Sequence, residues 1–269
     1  MSEIKIVVAT TTKYRMPEDP VYMPLQVGAA LKKSVISEYT QDNTGDNISV
    51  KNARYCELTG LYWAWKNLDA DYIGLVHYRR YFASPQARSD LEPFDQIVGG
   101  EEVRRLLQDH SVVVPRKRKY YIESIESHYA HTHYKEQLDD TFEIIKEKYP
   151  EYTESFERVM GQTSGHMFNM LIMRKDILDR YCNWLYDILE ELEKKASVRD
   201  LDSYQGRFIG RIGEIILNVW LDYEIKYGYI PESEIAELPC VHIEKVNWFK
   251  KGTAFLAAKL FHKKYDHSF

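Results

Sequence analysis

The stretch Asp71-Tyr-Ile-Gly-Leu-Val-His77-Tyr78-Arg79-Arg80-Tyr81-Phe82 ends an apolar run in one imidazole and two guanidiniums. Arginine presents paired donors to phosphate or carboxylate oxygens, so such a cluster at a strand end makes an anion site. In an extended chain His77 and Arg79 share one face, Tyr78 and Arg80 the other. The bracketing aromatics set the cluster apart from an ordinary solvated face. Thr10-Thr11-Thr12-Lys13-Tyr14 closes another apolar run. It reads either as an edge that holds a nucleotide, with Tyr14 stacking on the base, or as a polar turn. Arg116-Lys117-Arg118-Lys119 is either a solvated loop or further positive charge on the same rim.

Glu214 lies in Arg211-Ile-Gly-Glu214-Ile-Ile-Leu-Asn218, a helical pattern otherwise apolar on that side. It is either a general base with a raised pKa or the partner of Arg207 or Arg211, and spacing alone favours the ion pair. His128, His131 and His133 invite a metal, but no single regular element converges all three. An acid, base or hydrogen-bonding role for one of them fits better. Gly165-His166-Met167-Phe168-Asn169 is a polar entrance to an apolar strand, suited to an acceptor-binding edge or to a plain β-turn. Neither a Walker loop nor a G-x-G-x-x-G fingerprint is present. Gly206, Gly210 and Gly213 have the wrong spacing and a helical context, which disfavours NTPase and dinucleotide chemistries.

Positioning these residues requires strands and helices. Apolar or β-branched runs predict strands over residues 4–11, 72–77, 111–114, 168–173 and 240–243. Helical spacing predicts helices over residues 53–67, 103–108, 137–148, 176–195 and 211–226, with Asp176 as an N-cap. Such alternation argues for an α/β fold with a mostly parallel central sheet flanked by helices. Sites in such sheets lie beyond the carboxyl ends of the strands. That rule selects residues 10–14, 77–80, 115–121 and the loop entering Phe168.

The 269 residues are 44% hydrophobic and 13% aromatic, which excludes disorder as the main state. A net charge of −5 argues against a nucleic-acid partner. The charge is uneven: residues 248–269 carry five Lys against one Asp, leaving an acidic body. Cys56, Cys182 and Cys240 are scattered and odd in number, which argues against a disulfide framework or zinc site and for a reducing cytoplasm. The apolar N-terminal run is too short for a signal-peptide core, and no apolar window reaches the length of a membrane span.

Several blocks together resemble the bacterial capsular and exopolysaccharide glycosyltransferases long filed as a domain of unknown function. They are Tyr22-Met-Pro-Leu-Gln26-Val-Gly28-Ala, Asn52-Ala-Arg-Tyr-Cys56-Glu57-Leu-Thr-Gly60-Leu-Tyr-Trp63-Ala-Trp65-Lys-Asn67 and Tyr72-Ile-Gly-Leu-Val-His77-Tyr-Arg79-Arg80-Tyr-Phe82. Further ones are Arg118-Lys-Tyr120-Tyr-Ile-Glu123-Ser, His128-Tyr-Ala-His131-Thr-His133, His166-Met-Phe-Asn169-Met and Gly213-Glu214-Ile-Ile-Leu-Asn218-Val-Trp220. The resemblance implies transfer of a hexosyl unit, galactose or galactofuranose first, from a UDP-sugar. A looser similarity to the GT-A fold implies a GT-A-like single domain over residues 1–247 with a basic helical tail over 248–269. His77-Tyr78-Arg79 stands where that fold places a metal-binding D-x-D. No cofactor is therefore expected to be required, although a divalent metal stays open.

On this reading Thr10, Thr11, Tyr14 and Gln26 hold the donor nucleotide, and Arg79, Arg80 and His77 stabilise the departing diphosphate. Glu214 or His131 deprotonates the acceptor, while Glu57, Asn169, His166 and Tyr120 contact sugar or acceptor. The expected acceptor is a lipid-linked oligosaccharide. The tail, with Phe249, Leu256 and Leu260 on one helical stripe, either rests on an anionic membrane or docks on the acidic body. The expected location is the cytoplasmic face of the cell membrane. The rival function is a non-catalytic carbohydrate- or lipid-binding module of a polysaccharide assembly complex.

Overall fold

The structure is a computed structural model that describes residues 2–88, 90–196 and 204–244. Its strands are β1 (Ile4–Thr10), β2 (Tyr22–Gln26), β3 (Thr40–Gln41), β4 (Tyr72–His77), β5 (Arg80–Phe82), β6 (Val112–Pro115), β7 (Arg118–Lys119), β8 (Ser164–Gly165), β9 (Leu171–Arg174), β10 (Ile235–Leu238) and β11 (Cys240–His242). Its α-helices are α1 (Asn52–Tyr55), α2 (Leu58–Asn67), α3 (Gly100–Leu106), α4 (Ile125–Thr132), α5 (Glu136–Lys148), α6 (Thr153–Met160), α7 (Lys175–Ala196) and α8 (Phe208–Lys226).

The main sheet has the order β10-β6-β9-β4-β1-β2-β3. β1 is parallel to β2 and β4, β2 to β3, and β10 to β6, while β9 runs antiparallel between β4 and β6. β1, β2, β4 and β6 therefore all end at one edge. There β5 folds back on β4, and β11 pairs with β5.

The sheet is covered on both faces, as the unbroken apolar run of β1 requires. Successive β1 side chains alternate between two cores. Val7 and Ala9 join the larger core with residues of α2, α7 and α8. Ile4, Ile6 and Val8 join the smaller one with Val98, Val103 and Leu107. Gly213 and Gly210 let α8 approach α1 and α2 closely. A Cβ on Gly213 would meet Leu58 Cδ1 at 2.7 Å, and one on Gly210 would meet Cys56 Cβ at 3.2 Å.

Three local departures from the sequence expectation matter. The single helix expected over residues 53–67 is broken, because Cys56 adopts φ 53° between α1 and α2. Asn52 Nδ2 satisfies the Cys56 carbonyl at 2.7 Å and also bonds Thr59 Oγ1 at 3.0 Å, so the break leaves no orphaned acceptor there. The strand expected from Phe168 starts only at Leu171, because Phe168 and Asn169 have φ 75° and 52°. Asp176 is not a cap: it lies inside the first turn of α7, where Arg174 Nε and Nη2 grip its carboxylate. The short strands β2, β3, β5, β7, β8 and β10 and the helices α4 and α6 lie outside the spans the sequence predicts. The tail expected over 248–269 lies outside the described residues.

Candidate active site

A cleft of ≈ 510 Å³ opens at the carboxyl ends of β1 and β4. Its walls are those strand ends, the α1–α2 break, Phe168 and the first turns of α8. Each wall supplies its side chain through a local feature described above. The break at Cys56 turns Glu57 into the cleft, and the close-packed start of α8 delivers Arg207, Arg211 and Glu214. Those three lie four and three residues apart, on one helix face.

The left-handed pair Phe168-Asn169 gathers the ionisable groups. His77 Nε2 donates to the Phe168 carbonyl at 2.6 Å, and the Phe168 amide donates to Glu214 Oε2 at 3.1 Å. Asn169 Nδ2 donates to Glu57 Oε1 at 2.6 Å and to the Gly210 carbonyl at 3.0 Å. Glu57 Oε1 is also 3.9 Å from His77 Nε2. Left-handed geometry at a non-glycine residue costs of order 1–3 kcal/mol, least for Asn, and such strain concentrates at functional sites.

Burial sets the charge states. It raises the Glu57 pKa, against the opposing Asn169 bond. It also raises that of Glu214, and the neighbouring Glu57 charge adds to the effect. His77 is pushed down to about 4 by burial and then by Arg80, so it is neutral at physiological pH.

Four arginines line the same cleft. Arg80 lies 4.7 Å over the Phe168 ring, and its Nε is buried without a hydrogen-bond partner among the described residues. Arg79 bonds Glu244 Oε2 at 3.1 Å and stacks 5.0 Å from the Tyr78 ring. Arg207 Nε reaches Cys56 Sγ at 3.2 Å, while burial pushes the Cys56 thiol up to about 11. Arg211 donates to the carbonyls of Tyr204 and Gln205 at 3.0 and 2.9 Å. Glu214 thus takes a backbone amide in place of the expected arginine partner. Likewise, His77 and Arg79 do not act as one strand face: β4 ends at His77, which pairs with Arg80 across the hairpin.

Of the residues singled out in the sequence, Thr10, Thr11, Glu57, His77, Arg79, Arg80 and Glu214 line the cleft. Tyr14 stands beside it, with its ring 5.0 Å from Tyr78 and its hydroxyl 3.2 Å from Glu244 Oε1. Asn169 is buried behind Glu57. Four others lie elsewhere. Gln26 braces the loop after β2, accepting from the Ile36 amide at 2.7 Å. His166 is buried, with Nδ1 on the Pro115 carbonyl at 2.6 Å and its amide on Asn218 Oδ1 at 2.7 Å. His131 Nδ1 pairs with the buried Glu123 at 2.7 Å, which also holds His128 Nδ1 at 3.2 Å. Tyr120 packs 4.4 Å from the His128 ring. Arg207 and Arg211 as cleft cations were missed. Their spacing with Glu214 was the available signal.

The β4 end does not fit a divalent cation. It offers His77, Arg79 and Arg80, and His77 donates its Nε2 proton to a carbonyl. Among the described residues no group of three or more His, Cys, Asp or Glu side chains is placed to hold a metal.

Fold and cleft together define a GT-A-like glycosyltransferase architecture. The chain is similar to the apo structure of the bifunctional glycosyltransferase WbbM, with TM-score 0.82 and 28% identity over 90% of this chain and 46% of that one. It therefore spans less than half of that protein's length. The chain belongs to the DUF4422 family, a domain of unknown function, whose profile matches residues 5–225. No curated protein matches it.

Proposed function

We propose that the chain is a glycosyltransferase that moves a hexosyl unit from a UDP-sugar to a lipid-linked oligosaccharide in capsular or exopolysaccharide assembly, at the cytoplasmic face of a membrane. The observation that carries this reading is the convergence of Glu57, Glu214 and four arginines in one cleft at the carboxyl edge of a glycosyltransferase fold. The likeness to WbbM supports the reaction class. The sugar, with galactose or galactofuranose first, and the acceptor rest on the sequence resemblance.

In this mechanism Thr10, Thr11 and Tyr14 hold the uridine. As the bond from the anomeric carbon to the diphosphate oxygen breaks, negative charge grows on the diphosphate. Arg79 and Arg80 neutralise it, with Arg80 Nε, which has no hydrogen-bond partner among the described residues, as a ready donor. Fixed cations at a leaving group need no reorganisation as the charge develops. Glu214 removes the acceptor hydroxyl proton as the new glycosidic bond forms, and its raised pKa makes it a stronger base than an ordinary carboxylate. Glu57, fixed by Asn169, positions a sugar hydroxyl. Neutral His77 holds the Phe168 turn and adds no charge.

The test is a panel of UDP-sugars offered to the full chain with membrane-extracted acceptor lipids. Turnover with one donor supports the reading. A cleft that binds sugars yet turns over none of them would favour the non-catalytic module.

A further inference from the structure

Two loops at the cleft edge share an unusual composition. The loop after β2 exposes Leu31 and Val35, 52% and 53% accessible, on either side of exposed Lys32 and Lys33. The segment after β6 exposes Tyr121 and Ile122, 83% and 68% accessible, beyond the cationic residues 116–119. β2 and β6 both end at the edge where the cleft opens, on opposite sides of β1 and β4. Four strand spacings separate them, roughly 19 Å. The loops therefore leave the sheet on either side of the strand ends that carry the cleft.

The second loop is built to present its apolar tip. β7 pairs with β8, which anchors Arg118 and Lys119. The Ile122 amide then bonds the Tyr120 carbonyl at 2.7 Å around Tyr121, whose φ is 61°. This is the rare, strained form of γ-turn. Just beyond it Glu123 is buried and held by two histidines, which fixes the far end of the turn. A strained backbone that pushes a tyrosine and an isoleucine into water calls for a partner that buries them. The loops' acidic residues are engaged elsewhere, Glu123 by His128 and His131 and Glu38 by Lys13. No ion pair among the described residues involves Lys32, Lys33, Arg116, Lys117 or Lys119. Cations ringing exposed apolar side chains complement the anionic headgroups and apolar interior of a bilayer.

We propose that this rim is a membrane-docking face, with Leu31, Val35, Tyr121 and Ile122 entering the interface of an anionic bilayer and Lys32, Lys33 and residues 116–119 meeting its headgroups. The docking does not depend on the proposed reaction. If that reading holds, it brings the cleft mouth to the surface where a lipid-linked acceptor lies.

The experiment is co-sedimentation of the full chain with vesicles of phosphatidylcholine alone, or mixed with phosphatidylglycerol. Binding is expected to the anionic vesicles and to be weak with the neutral ones. The double variant Lys117→Glu with Lys119→Glu should weaken binding about fivefold or more for each lysine lost. Tyr121→Ser with Ile122→Ser should weaken it roughly tenfold, and circular dichroism should show both variants folded. Absence of binding to anionic vesicles overturns the proposal. So does binding by both variants equal to the parent's, which would assign it to residues 245–269. Loss with the lysine variant alone, together with competition by heparin or RNA, makes the surface a polyanion site and also overturns it. None of these outcomes reads turnover, so failure here leaves the proposed reaction standing.

Discussion

Asn169 donates its side-chain amide to Glu57 at 2.6 Å from a left-handed backbone position, and thereby ties the sheet to the break between the first two helices. Both ends of this bond depend on a departure from regular structure: Cys56 ends a helix early and Asn169 delays a strand. The bond fixes Glu57 beside His77, and the preceding residue fixes Glu214.

Replacing Asn169 by Gly separates backbone from side chain. Glycine accepts φ 52° without strain, so the fold should persist. Glu57 loses its fixed donor, and a displaced catalytic-site group costs roughly 10²-fold in rate. Turnover should fall by about that much, and the melting temperature should drop by a few degrees, because the buried Glu57 carboxylate and Gly210 carbonyl lose their donor. A variant with parental turnover would remove Asn169 from the account.

Glu214→Gln should lower turnover about 10²–10⁴-fold, the range for losing a general base. Its effect on stability has a definite sign. Because the folded pKa of Glu214 lies above its unfolded value, the fold favours the protonated form. That advantage is present below the unfolded pKa and is lost as pH rises through the folded pKa. At neutral pH the ionised side chain is a liability that Gln lacks. Thermal melts should show the variant more stable than the parent at neutral pH, with the gain gone below about pH 4.

The pH profile of the parent should lose activity on acidification through a pKa above the ordinary carboxylate value, as Glu214 takes up its proton. No limb should arise from His77, which is already neutral above about 4. A His77→Asn variant that keeps the acid limb agrees; one that abolishes it assigns the limb to the imidazole.

Arg79→Ala removes a half-exposed cation whose one ion pair among the described residues, with Glu244, contributes at most about 1 kcal/mol. The melting temperature should hardly move, while turnover falls by an order of magnitude or more if the guanidinium meets the diphosphate. Equal turnover would take Arg79 out of the diphosphate site.

EDTA should leave turnover unchanged, because the β4 end presents two arginines and a proton-donating histidine where a cation would sit. Loss of activity restored by added Mn²⁺ or Mg²⁺ would contradict that.

Sequence and structure agree where one physical signal dominates. β4 occupies the span its apolar run predicts, and residues His77 to Arg80 line the cleft. Interruptions that depend on tertiary contacts were not legible. Nothing in residues 52–67 marks Cys56 as a helix break, since the Asn52 side chain that permits it sits four residues earlier in a helical pattern. Phe168 and Asn169 read as strand because their apolar sequel masks a turn held in place by His77, Glu57 and Glu214. His131 illustrates the opposite limit: its buried partner Glu123 is eight residues away, and only the fold shows that they pair.

Under the proposed reaction, the cleft breaks a UDP-sugar bond with Glu214 as base. Its most direct test is UDP release from the cognate donor in the presence of acceptor lipid, measured for the parent chain and Glu214→Gln side by side. The parent should release UDP, and the variant should bind the UDP-sugar without appreciable release of UDP. Release at the same rate by both, or by neither with any donor, would contradict it.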